Sequence, residues 1–379
     1  MRNRIPLAIG LGLLSASLFL FGCDPNKGSN NQPTSPTDSA SNVKPSEKTP
    51  ETAPANADRP AEIAGAPRFK VITNGISPFW DSMIKGLYQA DADLKVNGDW
   101  QAPDINNDNN AGQVKIIQDT VGAKTDGIAI SVIEADALVS TINDTMKQGI
   151  PVITFDSDSA KSNRLCYLGT KNYEAGVQAG KAALSLFPNG GKLVAFVGNM
   201  SAQNARDRFN GFADALKGSK VSFLRDPYTD DKDANTARKN VEDALTKYGG
   251  QVNGLVGLYS YNGPAIVNAV MAQKRRDKIK IICFDAEPDT LTNLQKGLVD
   301  LTVVQKPYEF GRLSIMLLNM LHKEKNIDKV LAEIKPELDK LGMTVDMAKH
   351  TIDTGVEIVT PATSAEFLAK VKKLGLKST

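Results

Sequence analysis

One short run occurs twice in this chain and limits what the chain can fold into. Gly149-Ile-Pro-Val-Ile-Thr-Phe-Asp156 and Ile279-Lys-Ile-Ile-Cys-Phe-Asp285 are both rich in β-branched residues, both end in Phe-Asp, and both follow a segment with helical spacing. Runs so short and so branched read as buried strands of a parallel sheet. The flanking segments keep step. Lys192-Leu-Val-Ala-Phe-Val197 answers Arg68-Phe-Lys-Val-Ile-Thr73, and Asn253-Gly-Leu-Val-Gly-Leu-Tyr259 answers Asp126-Gly-Ile-Ala-Ile-Ser131. Asn253 trails Asp126 by 127 residues and Asp285 trails Asp156 by 129. That period is too long for a solenoid and fits two copies of a domain-sized βαβ unit. The 379 residues also exceed what a single core usually serves. Ligands of open α/β sheets collect at the carboxyl ends of the strands. Asp156 and Asp285, at two equivalent ends, therefore predict one ligand held between two lobes.

The beginning of the chain has a different character. Arg2 and Arg4 precede an apolar run from Ile5 to Phe21, closed by Leu20-Phe21-Gly22-Cys23. This resembles a bacterial lipoprotein signal, in which residues 1–22 are removed and Cys23 is lipidated; Phe21 departs from it, a smaller residue being commoner there. The alternative is an apolar run retained as a membrane helix. From Asp24 to Pro67 the sequence is mostly Ser, Pro, Asn, Thr, Ala and Lys. Such a composition cannot bury enough surface to fold and predicts a tether over 23–67, with an r.m.s. span of roughly 35 Å. Without residues 1–22, 43 basic side chains face 43 acidic ones. A nucleic-acid partner would call for a basic excess, so none is expected.

Along the folded part, helical spacing runs from Phe79 to Leu94, with the turn Asn74-Gly-Ile-Ser-Pro78 before it. The polar run Asp104–Asn110 lacks the glycine and glutamate of an EF-hand and reads as a turn before a helix starting near Gly112. Further helices are expected over 134–148, 204–216, 288–296, 309–322 and 364–374, and strands over 300–305 and 355–360. The stretch 323–350, interrupted by Pro336 and Gly342, is expected to be irregular. Cys166 and Cys283 sit in apolar, strand-like contexts and are expected to be small buried hydrophobes, a disulfide between them being the alternative.

Enzyme readings find little support. The only histidines, His322 and His350, lie late in the chain, away from the strand ends, and Gly10-Leu-Gly12 belongs to the signal rather than to a phosphate loop. No nucleophile elbow or zinc spacing is present, so no catalytic residue, cofactor or metal is expected.

Several motifs then fall in order: Ser77-Pro78-Phe79-Trp80, Asp156, Arg206-Asp-Arg208-Phe-Asn-Gly211-Phe, Phe284-Asp285 and Gln305. With them, the stretch from about Phe69 to Thr360 resembles the periplasmic sugar-binding proteins of the ribose-binding type, the family that also includes the ligand domains of lactose-repressor-like regulators. The resemblance implies an α/β fold of two doubly wound parallel-sheet lobes, periplasmic binding protein-like of type I, joined by a multi-strand hinge. It implies lobes of 68–170 with 306–350 and of 171–305 with 351–379. It also implies a monomer that captures a monosaccharide outside the cytoplasm and delivers it to an ABC transporter permease, with the lipid anchor holding it to the membrane. A sensor presenting the sugar to a membrane receptor is the other reading. Within the family pattern, Thr73, Ser77 and Gln305 are polar contacts, Phe79 and Trp80 are stacking walls, and Asp156, Arg208 and Asp285 are charged partners for vicinal hydroxyls. Two departures leave the sugar open: Ser157 stands where ribose binders carry arginine, and Tyr261-Asn262 stands where they have one asparagine, so that either residue could face the cleft. Each assignment has a plainer alternative. Phe79 and Trp80 could be helix core, Arg208 a surface residue like Arg206, and the two aspartates helix N-caps.

Overall fold

The computed structural model describes residues 59–103 and 110–376. The expected signal 1–22, Cys23, the tether as far as 58, and the polar run up to residue 109 lie outside the described residues.

The first lobe opens with β1 (Arg68–Ile72), α1 (Phe79–Leu94), β2 (Asn97–Gln101), α2 (Asn110–Gly122), β3 (Gly127–Ile130), α3 (Val139–Lys147), β4 (Val152–Phe155) and β5 (Tyr167–Gly169). The chain then passes into the second lobe: α4 (Asn172–Leu184), β6 (Gly191–Val197), α5 (Gln203–Leu216), β7 (Val221–Phe223), β8 (Tyr228–Thr229), α6 (Ala234–Tyr248), β9 (Gly254–Gly257), α7 (Asn262–Ala272), β10 (Lys280–Phe284), α8 (Pro288–Gln295) and β11 (Leu301–Val304). It returns for α9 (Pro307–Glu324), α10 (Ile327–Lys340), β12 (Thr344–Asp346) and β13 (Thr351–Asp353), and ends in the second lobe with β14 (Glu357–Val359) and α11 (Ser364–Lys373).

Among the described residues each sheet has seven strands. The first runs β12-β13-β5-β4-β3-β1-β2 and the second β14-β11-β10-β9-β6-β7, with β8 also on β6. All pairs are parallel except β12 with β13 and β11 with β14. The β-branched runs read from the sequence are the central strands, buried on both faces as parallel strands must be. In the first lobe, one apolar cluster unites α1, α9 and α10 with one face of the sheet, and a second packs α2 and α3 on the other. The second lobe repeats this arrangement.

In each lobe two helices touch backbone to backbone at a pair of glycines. A Cβ on Gly86 of α1 would strike the Tyr308 carbonyl, and one on Gly311 of α9 the Met83 carbonyl. In the second lobe Gly176 of α4 and Gly211 of α5 stand in the same relation to the carbonyls of Arg208 and Tyr173.

Three expectations are corrected here. The stretch 323–350 is not irregular. Val330, Leu331, Ile334 and Leu338 give α10 a buried face, Asn326 caps it by accepting from Lys329 N–H at 3.1 Å, and the helix runs through Pro336. Burial of that face outweighs the ~3 kcal/mol cost of an interior proline. Thr351–Asp353, expected in the second lobe, pairs with β5 in the first sheet. Residues 59–67, expected in the tether, lie against the first lobe: the Asn97 side chain exchanges hydrogen bonds of 2.8 Å with Ile63 N–H and C=O, and Arg59 pairs with Asp99 at 3.1 Å.

Three segments connect the lobes, between β5 and α4, between β11 and α9, and between β13 and β14. The first and third run side by side, Thr354 N–H donating to Gly169 O at 2.8 Å and Lys171 N–H to Asp353 Oδ1 at 3.1 Å.

Candidate ligand-binding site

Asp156 and Asp285 each stand one residue beyond a central strand, β4 and β10, in the left-handed conformation (φ 57° and 65°). Aspartate tolerates this region better than most residues. The bend leaves the backbone in register, Asp156 N–H donating to Leu168 O at 3.0 Å and Asp285 N–H to Val303 O at 2.8 Å. Both side chains are buried and line one cavity of about 90 Å³ between the lobes. Neither is an N-cap: Glu287 holds that position before α8, and the next helix after Asp156 starts at Asn172.

Asp156 Oδ2 accepts from Ser131 Oγ at 2.8 Å and from Asn74 Nδ2 at 3.4 Å. Burial pushes its carboxyl above the usual carboxylate range, against the opposing pull of the Arg208 guanidinium and of hydrogen bonds from Ser131 and Asn204. Burial likewise pushes Asp285 up to about 6, with Arg208 and a hydrogen bond from Gln305 opposing. Gln305, on the second connecting segment, donates from Nε2 to Asp285 Oδ1 at 2.9 Å. Its Oε1 is buried with no partner among the described residues.

Arg208 is not a surface residue. It is 1 % exposed, with Nε donating to Asn172 Oδ1 at 2.8 Å and Nη1 to Leu258 O at 2.9 Å. Its guanidinium lies 5.0 Å from the centre of the Phe284 ring, and Nη2 has no partner among the described residues. Arg206, two positions earlier on the helix, turns back instead to the carbonyls of Met200 and Ser201.

Phe79 and Trp80 belong to the first-lobe core and also line the cavity. They meet edge to face at 4.8 Å, and Trp80 meets Phe155 in the same way at 5.8 Å. Ser77 lines the cavity just before them. Thr73 does not. Its hydroxyl donates to Gly75 O at 2.8 Å and accepts from Trp100 Nε1 at 3.2 Å, which holds the loop carrying Asn74 and Ser77.

From the second lobe, Tyr259, Ser260 and Tyr261 reach the cavity, and Asn262 does not. Asn262 is buried behind them, donating to Asp230 Oδ2 at 3.0 Å and accepting Tyr259 N–H at 3.1 Å. Tyr261 donates its hydroxyl to Asp230 Oδ1 at 2.5 Å. Burial pushes Asp230 up to about 6, with the Tyr261 hydrogen bond opposing.

Sequence reasoning missed Asn204, Lys232 and Tyr259. Lys232 Nζ donates across the cleft to Asn74 O at 2.6 Å. Tyr259 donates to Asn204 Oδ1 at 2.9 Å, and the Asn204 side chain in turn supports Asp156 in the other lobe. Nothing in the pattern of Asp230-Asp-Lys-Asp233 marks the lysine as a bridge between lobes.

Comparison with known proteins agrees with this architecture. Residues 69–326 match the family model described as a periplasmic binding protein domain. The ribose import binding protein RbsB of Haemophilus influenzae is 24% identical over 216 residues, covering 56% of this chain and 72% of that protein. Among solved structures, the glucose-galactose binding protein GanP of Geobacillus stearothermophilus superposes with a TM-score of 0.68 at 25% identity, covering 78% of this chain and 98% of that one. An Agrobacterium vitis ABC transporter solute binding protein with bound D-fucose gives 0.69 at 26%, covering 80% and 98%. Two parallel-sheet lobes, a cleft at the carboxyl ends of both sheets and a family match spanning both lobes lead to one assignment: the chain belongs to the periplasmic binding protein domain family, with the type I fold.

Proposed function

We propose that this protein captures one monosaccharide between its lobes and delivers it to an ABC transporter permease, acting outside the cytoplasm from a lipid anchor on Cys23. One observation carries the reading: planar hydrogen-bonding groups from both lobes converge on a single cavity. Asp156 comes from the first lobe, Arg208 and Asp285 from the second, and Gln305 from a connecting segment. Arg208 Nη2 and Gln305 Oε1 lack partners among the described residues. Vicinal hydroxyls both donate and accept, and match such pairs of parallel donor and acceptor positions. Phe79, Trp80 and Tyr261 supply apolar planes for the C–H faces of a sugar ring, and Ser77 adds a polar contact. Thr73 and Asn262 support the contacting residues from behind. The ribose, glucose-galactose and D-fucose named for the relatives support a sugar as the ligand. Nothing in this reading asks the site to make or break a bond.

A thermal-shift panel of pentoses, hexoses, polyols and amino acids on the chain from residue 24 tests it. A sugar at a hundred times its Kd should add about 2.7 kcal/mol of stability. Stabilisation by amino acids and by no sugar would remove the monosaccharide reading.

A further inference from the structure

Arg208 can present Nη2 to the cleft only if something fixes the plane of its guanidinium. Five N–H groups sit in one rigid fork, so two anchored nitrogens determine where the third points. One anchor, Leu258 O on Nη1, belongs to the second lobe. The other, Asn172 Oδ1 on Nε, stands where the first connecting segment becomes α4. Asn172 is itself held. Its Nδ2 donates to Thr170 O at 3.0 Å and to the Tyr167 hydroxyl at 3.3 Å. That hydroxyl directs its proton toward Asp156 O at 2.9 Å and Thr170 O at 3.0 Å. Gly169 admits the folded-back phenol, since a Cβ there would collide with the Tyr167 oxygen. The result is an unbroken chain from Arg208 Nε through the Asn172 amide and the Tyr167 hydroxyl to the carbonyl of Asp156. Its members are 1 %, 6 %, 9 % and 3 % exposed, so water does not compete for these bonds.

We propose that Asn172 and Tyr167 are positioning residues of the cleft, fastening the Arg208 guanidinium and the Asp156 strand end to the first connecting segment. The inference rests on the ligand reading above for its effect on affinity, but not for the fastening itself. Asn172 and Tyr167 do not line the cavity between the lobes; both line a separate pocket with Asp158 and Asp353. They act through Arg208 and Asp156, one in each lobe. A movement of the connecting segment therefore turns the guanidinium plane and shifts the αL bend together. Closure and assembly of the binding groups become one event.

Two measurements on the chain from residue 24 test this. In protein labelled with 15N-arginine, Arg208→Lys assigns the Nε–H resonance of Arg208 in the absence of ligand. Asn172→Ala should shift that resonance and speed its exchange with solvent, whereas Asn172→Asp, whose carboxylate also accepts from Nε–H, should keep it protected. In calorimetry with the sugar that stabilises the wild type best, Asn172→Ala should weaken binding roughly 10- to 100-fold. Asn172→Asp, which keeps the acceptor for Nε–H but loses the bonds donated to Thr170 O and Tyr167, should recover part of that loss, and Tyr167→Phe should weaken binding several-fold. The double variant Asn172→Ala/Arg208→Lys should bind no worse than Arg208→Lys alone. A purely structural role would lower Tm and leave affinity and this non-additivity unmoved, and that result overturns the proposal. An unchanged Arg208 resonance in Asn172→Ala overturns it as well. If Asn172→Ala does not fold, Tyr167→Phe and Asn172→Asp carry the same comparison. If the wild type binds no sugar at all, the monosaccharide reading falls, and the resonance alone decides the fastening.

Discussion

Asp156 and Asp285 are one structural position used twice: each is the αL residue that ends the middle strand of its sheet, with its N–H still paired to the next strand. Because both line one cavity from opposite lobes, a ligand touching both is bound only when the lobes are closed. Each charged hydrogen bond contributes about 1.5–3 kcal/mol. Asp156→Asn or Asp285→Asn should then weaken sugar binding roughly 10- to 150-fold, with a non-additive double variant, by titration calorimetry. Normal binding by Asp285→Asn beside impaired Asp156→Asn would place the ligand in one lobe.

A second expectation concerns pH. Asp91 on α1 is buried, accepts Gly98 N–H at 2.8 Å on Oδ2, has no protein partner on Oδ1, and is pushed by burial up to about 7. A carboxyl raised above its unfolded value binds its proton more tightly when folded, so its favourable contribution is full below pH ~4 and lost as pH rises toward 7. Asp91→Asn, which keeps the acceptor and removes the charge, should stabilise the protein by about 2 kcal/mol at pH 8 and by little at pH 4. Urea unfolding at the two pH values measures the difference. Equal effects at both would mean that the carboxyl does not titrate in that window.

The glycine contacts between helices should be intolerant of a methyl group. Gly86→Ala and Gly311→Ala each force α1 and α9 apart and should cost about 1–3 kcal/mol or more in denaturant unfolding. Gly122→Ala, where a Cβ meets nothing, is the control and should be close to neutral. Similar losses in all three variants would argue against backbone contact as the cause.

Lys232 holds the mouth of the cleft through Asn74 O. Lys232→Met should raise the radius of gyration of the ligand-free chain in small-angle scattering and speed ligand release by roughly 3- to 10-fold, the effect of an exposed hydrogen bond with a net contribution of about 0.5–1.5 kcal/mol. An unchanged scattering profile together with unchanged release would remove the lysine from the closure mechanism.

Trp80 touches the cavity while Trp100 is bonded to Thr73 behind the loop. The fluorescence change on sugar binding should therefore vanish in Trp80→Phe and persist in Trp100→Phe. The reverse pattern would make Trp100 the reporter.

What could be read from the sequence was whatever recurs or alternates. The doubled Phe-Asp ending exposed both sheets and both carboxylates, because parallel strands buried on two faces leave a continuous apolar run. Arg208 could be named from its motif, but only packing separates it from Arg206. Over 323–350 proline and glycine obscure the helical spacing of Val330, Leu331, Ile334 and Leu338, whose burial outweighs the breaker inside it. The family pattern implies a ligand contact for Thr73 and for either Tyr261 or Asn262, and one position along a bend is enough to turn a side chain inward. Lys232 and Asn172 gave no signal, since each acts through a partner 158 or 36 residues away.

The three connecting segments have a mechanical consequence. A single strap between two bodies acts as a ball joint and permits twist. Three straps, two of them laced together through Gly169 with Thr354 and Lys171 with Asp353, resist shear and torsion and leave bending about one line as the soft direction. The lobes then open as a door does, so the width of the gap between Asn74 and Lys232 is a one-dimensional gauge of the whole movement, and one pair of spectroscopic labels across that gap suffices to follow it.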